Sequence, residues 1–179
     1  MATALKYEIR RANQFDLPAL EILLAKGIEE SKGLLPPYDW PHVYHAAINQ
    51  IQAGLIFVAG AVDEEAKREK VVGVLVLDAQ HFSWSPKAGV IRSVHFYVLP
   101  EERGKTLSDG KTLIYEGLIQ AGEWLANAAG VPLLIEILHQ MGPEARIEAK
   151  DKLMEKAGLT YVGGSWLYMP KVAAEEKAA

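Results

Sequence analysis

Apolar and polar residues alternate or recur along this chain in blocks that predict a mixture of strands and helices. Residues 7–12 alternate as a strand does, and apolar residues at helical spacing predict a helix from an N-cap at Asp16 to about residue 30. A second helix is predicted from residue 42 to about 53, after a loop rich in proline and aromatic residues at 31–41. The chain therefore opens as strand, helix, helix.

The middle and the end of the chain carry the remaining elements of the pattern. Short β-branched and aromatic runs predict strands, charged runs predict turns, and Gly73 within a strand is typical of a bulge. In chain order we predict a strand at 55–62, a charged turn at 63–70, strands at 71–77 and 93–99 with an aromatic loop at 81–86 between them, a helix from about 110 to a cap at Gly130, a strand at 131–138, a helix at 143–157 capped by Gly158, and strands at 159–162 and 165–169.

The most distinctive stretch joins the last of the central strands to the long helix that follows it. This connection carries Arg103, Lys105 and Lys111 among glycines. Unpaired main-chain N–H groups at a helix N-terminus, together with the positive end of the helix dipole, form an anion site. The connection is not a nucleotide P-loop, since five residues rather than four separate Gly104 from Gly110. From the residues alone, a phosphate site and a polar connection with solvated lysines both stay open.

A resemblance to a known family gives these patterns a direction. The segment YVLPEERGK at residues 97–105 resembles the signature of the GNAT superfamily of acyl-CoA-dependent N-acyltransferases, whose fourth strand runs into R-x-x-G-x-G/A and then a helix. The segments IRRANQFDLPAL and KLMEKAGLTYVGG resemble the start and the Y-E-K-x-G-F ending of the same family, and the loop HFSWSP is similar to GNAT-like proteins of tailed bacteriophages. The resemblance implies an α/β fold with a mixed, mostly antiparallel sheet and helices on both faces, which the order of predicted elements also supports.

The resemblance also implies where an acyl-CoA would bind. Main-chain groups at Val98 and Leu99 would contact the pantetheine arm and the thioester. The diphosphate would lie on five residues of the connection: Arg103, Gly104, Lys105, Gly110 and Lys111.

Two departures from the family pattern affect these expectations. The motif glycines fall on Thr106 and Ser108, and the sequence GKTL at 104–107 recurs at 110–113, as though six residues had been duplicated. We therefore expect a lengthened cradle whose main chain wraps phosphates along a changed path. The tyrosine that protonates the leaving thiolate in many members falls on Met154, which cannot donate a proton.

Transfer of an acyl group to an amine also needs a base, and two residues are candidates. His95 lies on the central strand, on the more polar face with Ser93 and Tyr97, and Glu136 lies on the neighbouring strand. Each also has an ordinary structural interpretation, as a satisfied core histidine and as a solvent-facing carboxylate. Three further side chains are candidates to hold the acceptor: Tyr38, Trp40 and His139.

Composition narrows the class of protein. A chain of 179 residues that is 50% hydrophobic can bury one core, so we predict a single domain over 1–171 and a frayed tail at 172–179. A net charge of −4 argues against a nucleic-acid partner, and the lack of cysteine excludes thiol chemistry and fits a reducing cytoplasm. No apolar run reaches membrane-spanning length, and the histidines lack metal-binding spacing, so neither a membrane nor a metal is expected.

The sequence therefore predicts an N-acetyltransferase that uses acetyl-CoA to modify an amine of a small molecule or a protein. The alternative is a GNAT-fold protein without catalysis that serves as a binding or structural module, for example in a phage particle or against a host partner. A second copy of the chain and a virion protein are the macromolecular partners left open. The expected location is the cytoplasm, or the virion if the chain is phage-encoded.

Overall fold

The computed structural model describes residues 5–30, 37–82, 85–136, 151–162 and 165–170. The helices are α1 (Leu17–Glu30), α2 (Trp40–Gln52) and α3 (Ile114–Ala129), with short 3-10 turns at Gln14–Asp16 and Pro100–Glu102 and a helical segment at 151–156. The strands are β1 (Lys6–Arg11), β2 (Ile56–Asp63), β3 (Arg68–Phe82), β4 (Ser85–Val98), β5 (Leu133–Ile135), β6 (Thr160–Tyr161) and β7 (Trp166–Tyr168).

The strands form one seven-stranded sheet in the order β1-β2-β3-β4-β5-β7-β6. The pairs β1/β2, β2/β3, β5/β7 and β6/β7 are antiparallel, whereas β4 and β5 are parallel. A parallel pair needs a crossover connection, and α3 supplies it. The predicted fold class, a mixed and mostly antiparallel sheet with flanking helices, is confirmed.

The chain divides into two compact units, so the single domain over 1–171 stays a prediction. The first unit comprises Met1–Val76 and His95–Leu118, and the second comprises Leu77–Val94 and Ile119–Ala179. β3, β4 and α3 each contribute residues to both units.

The core of the first unit is built on both faces of its strands. β2 is buried throughout from Ile56 to Ala61. On one face, α1 packs on β4, where a Cβ added to Gly27 would lie 2.9 Å from Cε1 of His95. On the other face Phe96 meets Tyr115 of α3 edge to face, with ring centres 4.8 Å apart. Strand alternation explains the two directions, since consecutive residues of β4 point to opposite faces.

The second unit has its own apolar core under β5 and β7. Leu133, Ile135 and Met154 are fully buried there, and Trp166 is nearly so. The hydroxyl of Tyr168 exchanges hydrogen bonds with the side-chain amide of Asn127 on α3, at 3.1 and 3.3 Å. The predicted caps at Gly130 and Gly158 are confirmed, because both adopt positive φ, +65° and +81°.

The predicted loop at residues 81–86 is wrong for the part that the structure describes. β3 continues to Phe82 and β4 begins at Ser85, so both strands are much longer than predicted. Likewise β3 begins at Arg68, where charged residues pair with the end of β2. Cross-strand pairing in a long hairpin outweighs the loop-like composition of these segments.

Local boundaries differ for identifiable reasons. The predicted N-cap at Asp16 is wrong: Asn13 is the cap, accepting a hydrogen bond from the N–H of Phe15, while Asp16 is buried and pairs with Arg10 at 2.7 Å. The bulge predicted at Gly73 lies one residue earlier, since Ala59 pairs with Gly73 but the next residue of β2 pairs with Val71.

Candidate active site

At the end of β4, the main-chain groups of Leu99 and Val98 have different hydrogen-bond partners. The N–H of Leu99 donates to the carbonyl of Val72, the bulged residue of β3, at 2.9 Å. The carbonyl of Val98 accepts instead from Nε of Arg103 at 2.9 Å. Main-chain groups of successive strand residues point to alternate edges, so Val98 directs its N–H and C=O away from β3. Of the two predicted thioester contacts, Val98 is therefore the one whose N–H does not face β3.

Arg103 is held in place by its neighbours in the first unit. Its guanidinium bonds Glu30 at the end of α1 at 2.5 Å and lies 5.5 Å from the ring centre of Tyr97. Burial, with a smaller contribution from the Glu30 carboxylate, raises the pKa of Tyr97 to about 12, so the phenol stays neutral. The predicted diphosphate ligand Arg103 thus clamps the end of α1 to the end of β4.

The two copies of GKTL form the arms of a small hairpin at residues 105–114. Thr106 bridges Leu113 in antiparallel fashion, and the N–H of Leu107 donates to the carbonyl of Thr112 at 2.7 Å. The N–H of Ile114 returns to the carbonyl of Lys105 at 3.2 Å. The long helix consequently begins at residue 114 rather than near 110.

Two carboxylates occupy further N–H groups of this hairpin. Oδ1 of Asp109 accepts from the main chain of Lys111 at 2.8 Å and of Thr112 at 2.9 Å, and Oε2 of Glu116 accepts from the main chain of Leu113 at 3.0 Å. The hydroxyl of Thr112, followed by these two amides, holds the pKa of Asp109 below its usual range. The carboxylates sit where a phosphate at a helix N-terminus would sit.

The rest of the connection is open or covers the sheet edge. An added Cβ would meet no atom within 4 Å at Gly104 or at Gly110, and the side chains of Lys105 and Lys111 are exposed. Ser108 donates both its N–H and its hydroxyl to the carbonyl of Tyr7, each at 3.0 Å. The hairpin thereby covers part of the edge strand β1. A groove of about 530 Å³ lies between the hairpin and the start of β1, lined by Leu5, Lys6, Tyr7, Lys105, Thr106 and Leu107 among others.

His95 lies under α1, not on an open polar surface. One ring nitrogen is hydrogen-bonded to the main chain of Leu23, and the ring stacks on Tyr97 at 6.2 Å between centres. Nε2 is buried, and no side chain or main-chain group in the described ranges bonds it. Burial lowers the pKa of His95 to about 4, so the ring is neutral at pH 7 and weakly basic.

Glu136, the other predicted base, follows β5 in the second unit. Its side chain is exposed, but its main chain is fixed by Ser93, whose hydroxyl accepts from the N–H of Glu136 at 2.8 Å and donates to its carbonyl at 3.3 Å. The ladder between β4 and β5 pairs Ile91 with Leu133 and Arg92 with Leu134. Beyond this ladder, the side chain of Ser93 bridges the two strands.

The predicted acceptor residues are only partly described. Trp40 is half-buried at the start of α2 and meets Tyr44 edge to face at 5.9 Å, and Tyr38 is half-buried just before that helix. His139 lies outside the described residues. Met154, at the position of the family's acid, is fully buried in the core of the second unit, so it faces no reacting group there.

Sequence reasoning missed four residues that shape this region: Glu30, Ser93, Asp109 and Glu116. The aspartate had a signal, because Asp-Gly with a hydroxyl three residues on is typical of a side-chain-capped turn. The glutamate on α3 had a weaker one, as the third residue of a helix often reaches back to an N–H before it. The pairing of Glu30 with Arg103 had none.

Comparisons with known proteins bear on the fold. No protein-family model matches the sequence, and no curated protein matches it. Solved structures match over nearly the whole chain. A GNAT-family acetyltransferase from Listeria monocytogenes has a TM-score of 0.53 at 15% identity, covering 90% of this chain and 92% of that one.

Two further structures carry ligands. A chain of the NatC complex bound to Gag peptide and CoA has a TM-score of 0.61 at 16% identity, covering 92% of this chain and 98% of that one. AAC(6')-Iy in complex with the bisubstrate analogue CoA-S-monomethyl-acetylneamine has a TM-score of 0.59 at 16% identity, covering 88% and 92%. These likenesses show that the chain has the fold of GNAT acetyltransferases.

In the described residues, every helix is too short or too polar to cross a lipid bilayer.

Proposed function

We propose that this protein transfers an acyl group from an acyl-CoA thioester to an amine. The observation that carries the proposal is the end of β4, where Val98 turns its main chain away from β3 while Arg103 clamps the carbonyl beside it. An N–H fixed on a strand edge can donate to the oxygen of a thioester, on which negative charge develops during attack. The same fold in structures bound to CoA supports this assignment.

The proposed reaction requires a base on the protein but no acid. The amine nitrogen attacks the thioester carbon, the C–S bond breaks, and the thiolate takes a proton from solvent. The chain has Met154 where a tyrosine would donate, and a thiolate leaves without help. The base takes the proton from the ammonium form of the acceptor.

Of the two predicted bases, the geometry favours Glu136. It is exposed at the end of β5 with its main chain fixed by Ser93, so the carboxylate is accessible and its backbone is positioned. His95 is half-buried under α1 with its Nε2 atom fully buried, and the lowering of its pKa to about 4 makes it a poor acceptor of a proton at neutral pH. We assign His95 to packing and Glu136 to proton abstraction.

The acceptor is an amine of a small molecule or a peptide. Tyr38 and Trp40 precede or begin α2, both half-buried, and offer aromatic surface for such a molecule. His139 completes the proposed set of acceptor contacts. The Gag peptide and the analogue CoA-S-monomethyl-acetylneamine in the similar structures are consistent with either acceptor class.

The test is release of free thiol from acetyl-CoA in the presence of a panel of amines and peptides. With an accepted amine, Glu136→Gln should lower kcat about a hundredfold and leave the melting temperature unchanged, because the side chain is exposed. An exposed carboxylate on another element, changed by Glu155→Gln in the helical segment at 151–156, serves as the matched control. Absence of amine-dependent thiol release, together with no thermal shift at millimolar acetyl-CoA, would refute the proposal.

A second function is favoured by one observation. Most N–H groups of the hairpin at 105–114 donate to acceptors within the protein, as expected of a GNAT fold that has lost its cofactor and become a binding or structural module, for instance in a phage particle. That module would show neither thermal shift nor thiol release. The proposed location is the cytoplasm, or the virion if the chain is phage-encoded.

A further inference from the structure

The groove between the hairpin and the start of β1 lies apart from the end of β4. Its volume of about 530 Å³ is within the range of ligand-binding clefts, and its walls come from residues 5–7, 105–108 and Gly110. β2 and β3 separate β1 from β4, which at about 4.8 Å per strand places the two roughly 14 Å apart across the sheet. A ligand held against β1 in this groove therefore lies away from Val98, where the thioester is proposed to bind.

Both walls of the groove are edges of extended main chain. The N–H of Ser108 donates to the carbonyl of Tyr7 at 3.0 Å, whereas the N–H of Leu107 donates to the other arm of the hairpin. Because main-chain groups alternate along an extended chain, the N–H of Thr106 points to the same side as that of Ser108. By the same rule Leu5 directs its main chain outward with Tyr7, away from β2. The two walls are thus joined at Ser108 and Tyr7 and line the groove beyond that bond.

The main-chain groups on these two walls are available for a ligand. Among the residues that the structure describes, none is hydrogen-bonded to the N–H of Thr106 or to the main chain of Leu5. The N–H groups of Leu107, Ser108 and Gly110, by contrast, donate to acceptors within the protein. A main-chain group without a partner in the protein bonds water or a ligand. An extended peptide can bond both walls, in the way that a strand adds to the edge of a sheet.

The charges around the groove indicate which kind of peptide fits. Lys6 and Lys105 line the groove with exposed side chains, and none of the described residues that line it is acidic. The ammonium of Lys6 is shared with Glu64 at 2.6 Å, whereas Lys105 makes no ion pair with another described residue. The carboxylate of Asp109 is bonded to the turn of the hairpin. The groove is therefore complementary to a segment that carries negative charge.

We propose that this groove binds an extended acidic segment of a partner protein, which adds as a strand between β1 and the hairpin. The main chain of Thr106 and Leu5 bonds the main chain of the segment, and Lys105 and Lys6 bind its carboxylates. The duplicated GKTL creates this site, because the hairpin that its two copies form provides the second wall. The inference goes beyond acyl transfer and holds for an enzyme and for a binding module alike.

The test titrates the full chain into a fluorescein-labelled peptide of alternating glutamate and threonine and follows fluorescence anisotropy. We expect saturable binding that weakens in about 0.5 M NaCl, because exposed ion pairs are screened. The same peptide with alternate main-chain nitrogens methylated keeps its charge but loses hydrogen-bond donors, so it should bind at least about tenfold more weakly. Equal affinity of the two peptides would show a contact through charge alone and would overturn the proposal, as would no binding at about millimolar peptide.

The duplication offers a matched pair of variants. Lys105→Glu reverses a charge that lines the groove, and Lys111→Glu reverses the equivalent charge of the second copy, which is also exposed but does not line it. We expect Lys105→Glu to weaken peptide binding about tenfold and Lys111→Glu to weaken it by less than about threefold, with both melting temperatures unchanged. Equal losses would show a general attraction to the basic loop and would overturn the groove as the site.

Two further measurements identify the wall and the occupant. In isotope-labelled protein, the peptide should shift the amide resonance of Thr106 and slow its hydrogen exchange, whereas the amide of Leu107, already bonded to Thr112, should change little. An unchanged Thr106 amide would overturn the strand addition. Competition by acetyl-CoA would place the peptide at the donor site, since Lys105 and Gly110 are also predicted diphosphate contacts, and it would overturn the proposal. Self-association that Lys105→Glu abolishes, without binding of the peptide, would assign the groove to a second copy instead.

Discussion

The contact between Gly27 of α1 and His95 of β4 predicts a mutation whose effect on stability changes sign with its background. A Cβ added at Gly27 would lie 2.9 Å from Cε1 and 3.5 Å from Nε2 of His95, and 3.4 Å from Cδ2 of Tyr97. The imidazole cannot easily retreat, because one ring nitrogen is bonded to Leu23 and one face stacks on Tyr97. Gly27→Ala therefore overpacks a buried site.

Two opposing contributions decide the magnitude. Replacing a helical glycine by alanine stabilises a protein by roughly 0.5–1 kcal/mol through the unfolded state and helix propensity. Overpacking a core contact that cannot relax costs about 2–3 kcal/mol. We expect Gly27→Ala to lower the free energy of unfolding of the native protein by about 1–2.5 kcal/mol, the difference between these two contributions.

In a His95→Ala background the clash is gone and only the helical gain is left. Gly27→Ala should then raise the free energy of unfolding by roughly 0.5–1 kcal/mol, so the double-mutant cycle gives a coupling energy of about 2–3 kcal/mol. Urea denaturation of the four proteins, with equal m-values, measures it. A Gly27→Ala effect of the same sign and size in both backgrounds would refute the packing of α1 on β4 described above.

Two other predictions concern stability. The unfolded chain protonates His95 near pH 6.5, whereas the folded chain does so only near pH 4. As the pH is lowered from 6.5 to 4, the free energy of unfolding should therefore fall by up to about 3 kcal/mol more in the native protein than in His95→Gln. Urea titrations that give parallel pH curves for both proteins would contradict the burial of the ring. Ser93→Ala leaves the main chain of Glu136 without its buried partner and should lower the free energy of unfolding by about 1–3 kcal/mol. The control Ser108→Ala keeps the N–H bond to Tyr7 and should lower it by well under about 1 kcal/mol. Equal losses of stability in thermal melts would show that Ser93 does not bridge the strands.

The periodicity of apolar residues was sufficient to predict the order of strands and helices, because each repeat reflects the local geometry of the backbone. The alternation of β4 predicts that His95 and Tyr97 share a face opposite Phe96, and the contacts with Gly27 and Tyr115 show that arrangement. What occupies each face depends on residues far away in the chain. A sequence pattern shows that a position lies on one face of a strand, but it does not show that α1 covers that face. For this reason the face of β4 that carries His95 and Tyr97 was predicted to be open and polar, whereas it packs against α1.

The candidate site shows the same limit in its loop. The duplicated GKTL is visible in the sequence, and a longer connection follows from it directly. That the copies pair with each other depends on a register, Thr106 with Leu113, and on an aspartate at the turn that bonds the amides of Lys111 and Thr112. Antiparallel pairing between identical short segments satisfies more main-chain groups than an open coil of the same length, which explains why the path of the loop is changed more than expected.

Hydrogen-bond accounting connects this loop to the proposed chemistry. Binding energy for a donor molecule has to come from groups that are not already satisfied in the folded chain, because exchanging one good acceptor for another gains little. By that criterion the main chain of the hairpin contributes little affinity, because most of its N–H groups already donate to acceptors within the protein. A phosphate that binds this turn through the main chain would have to displace those acceptors, Asp109 and Glu116 among them.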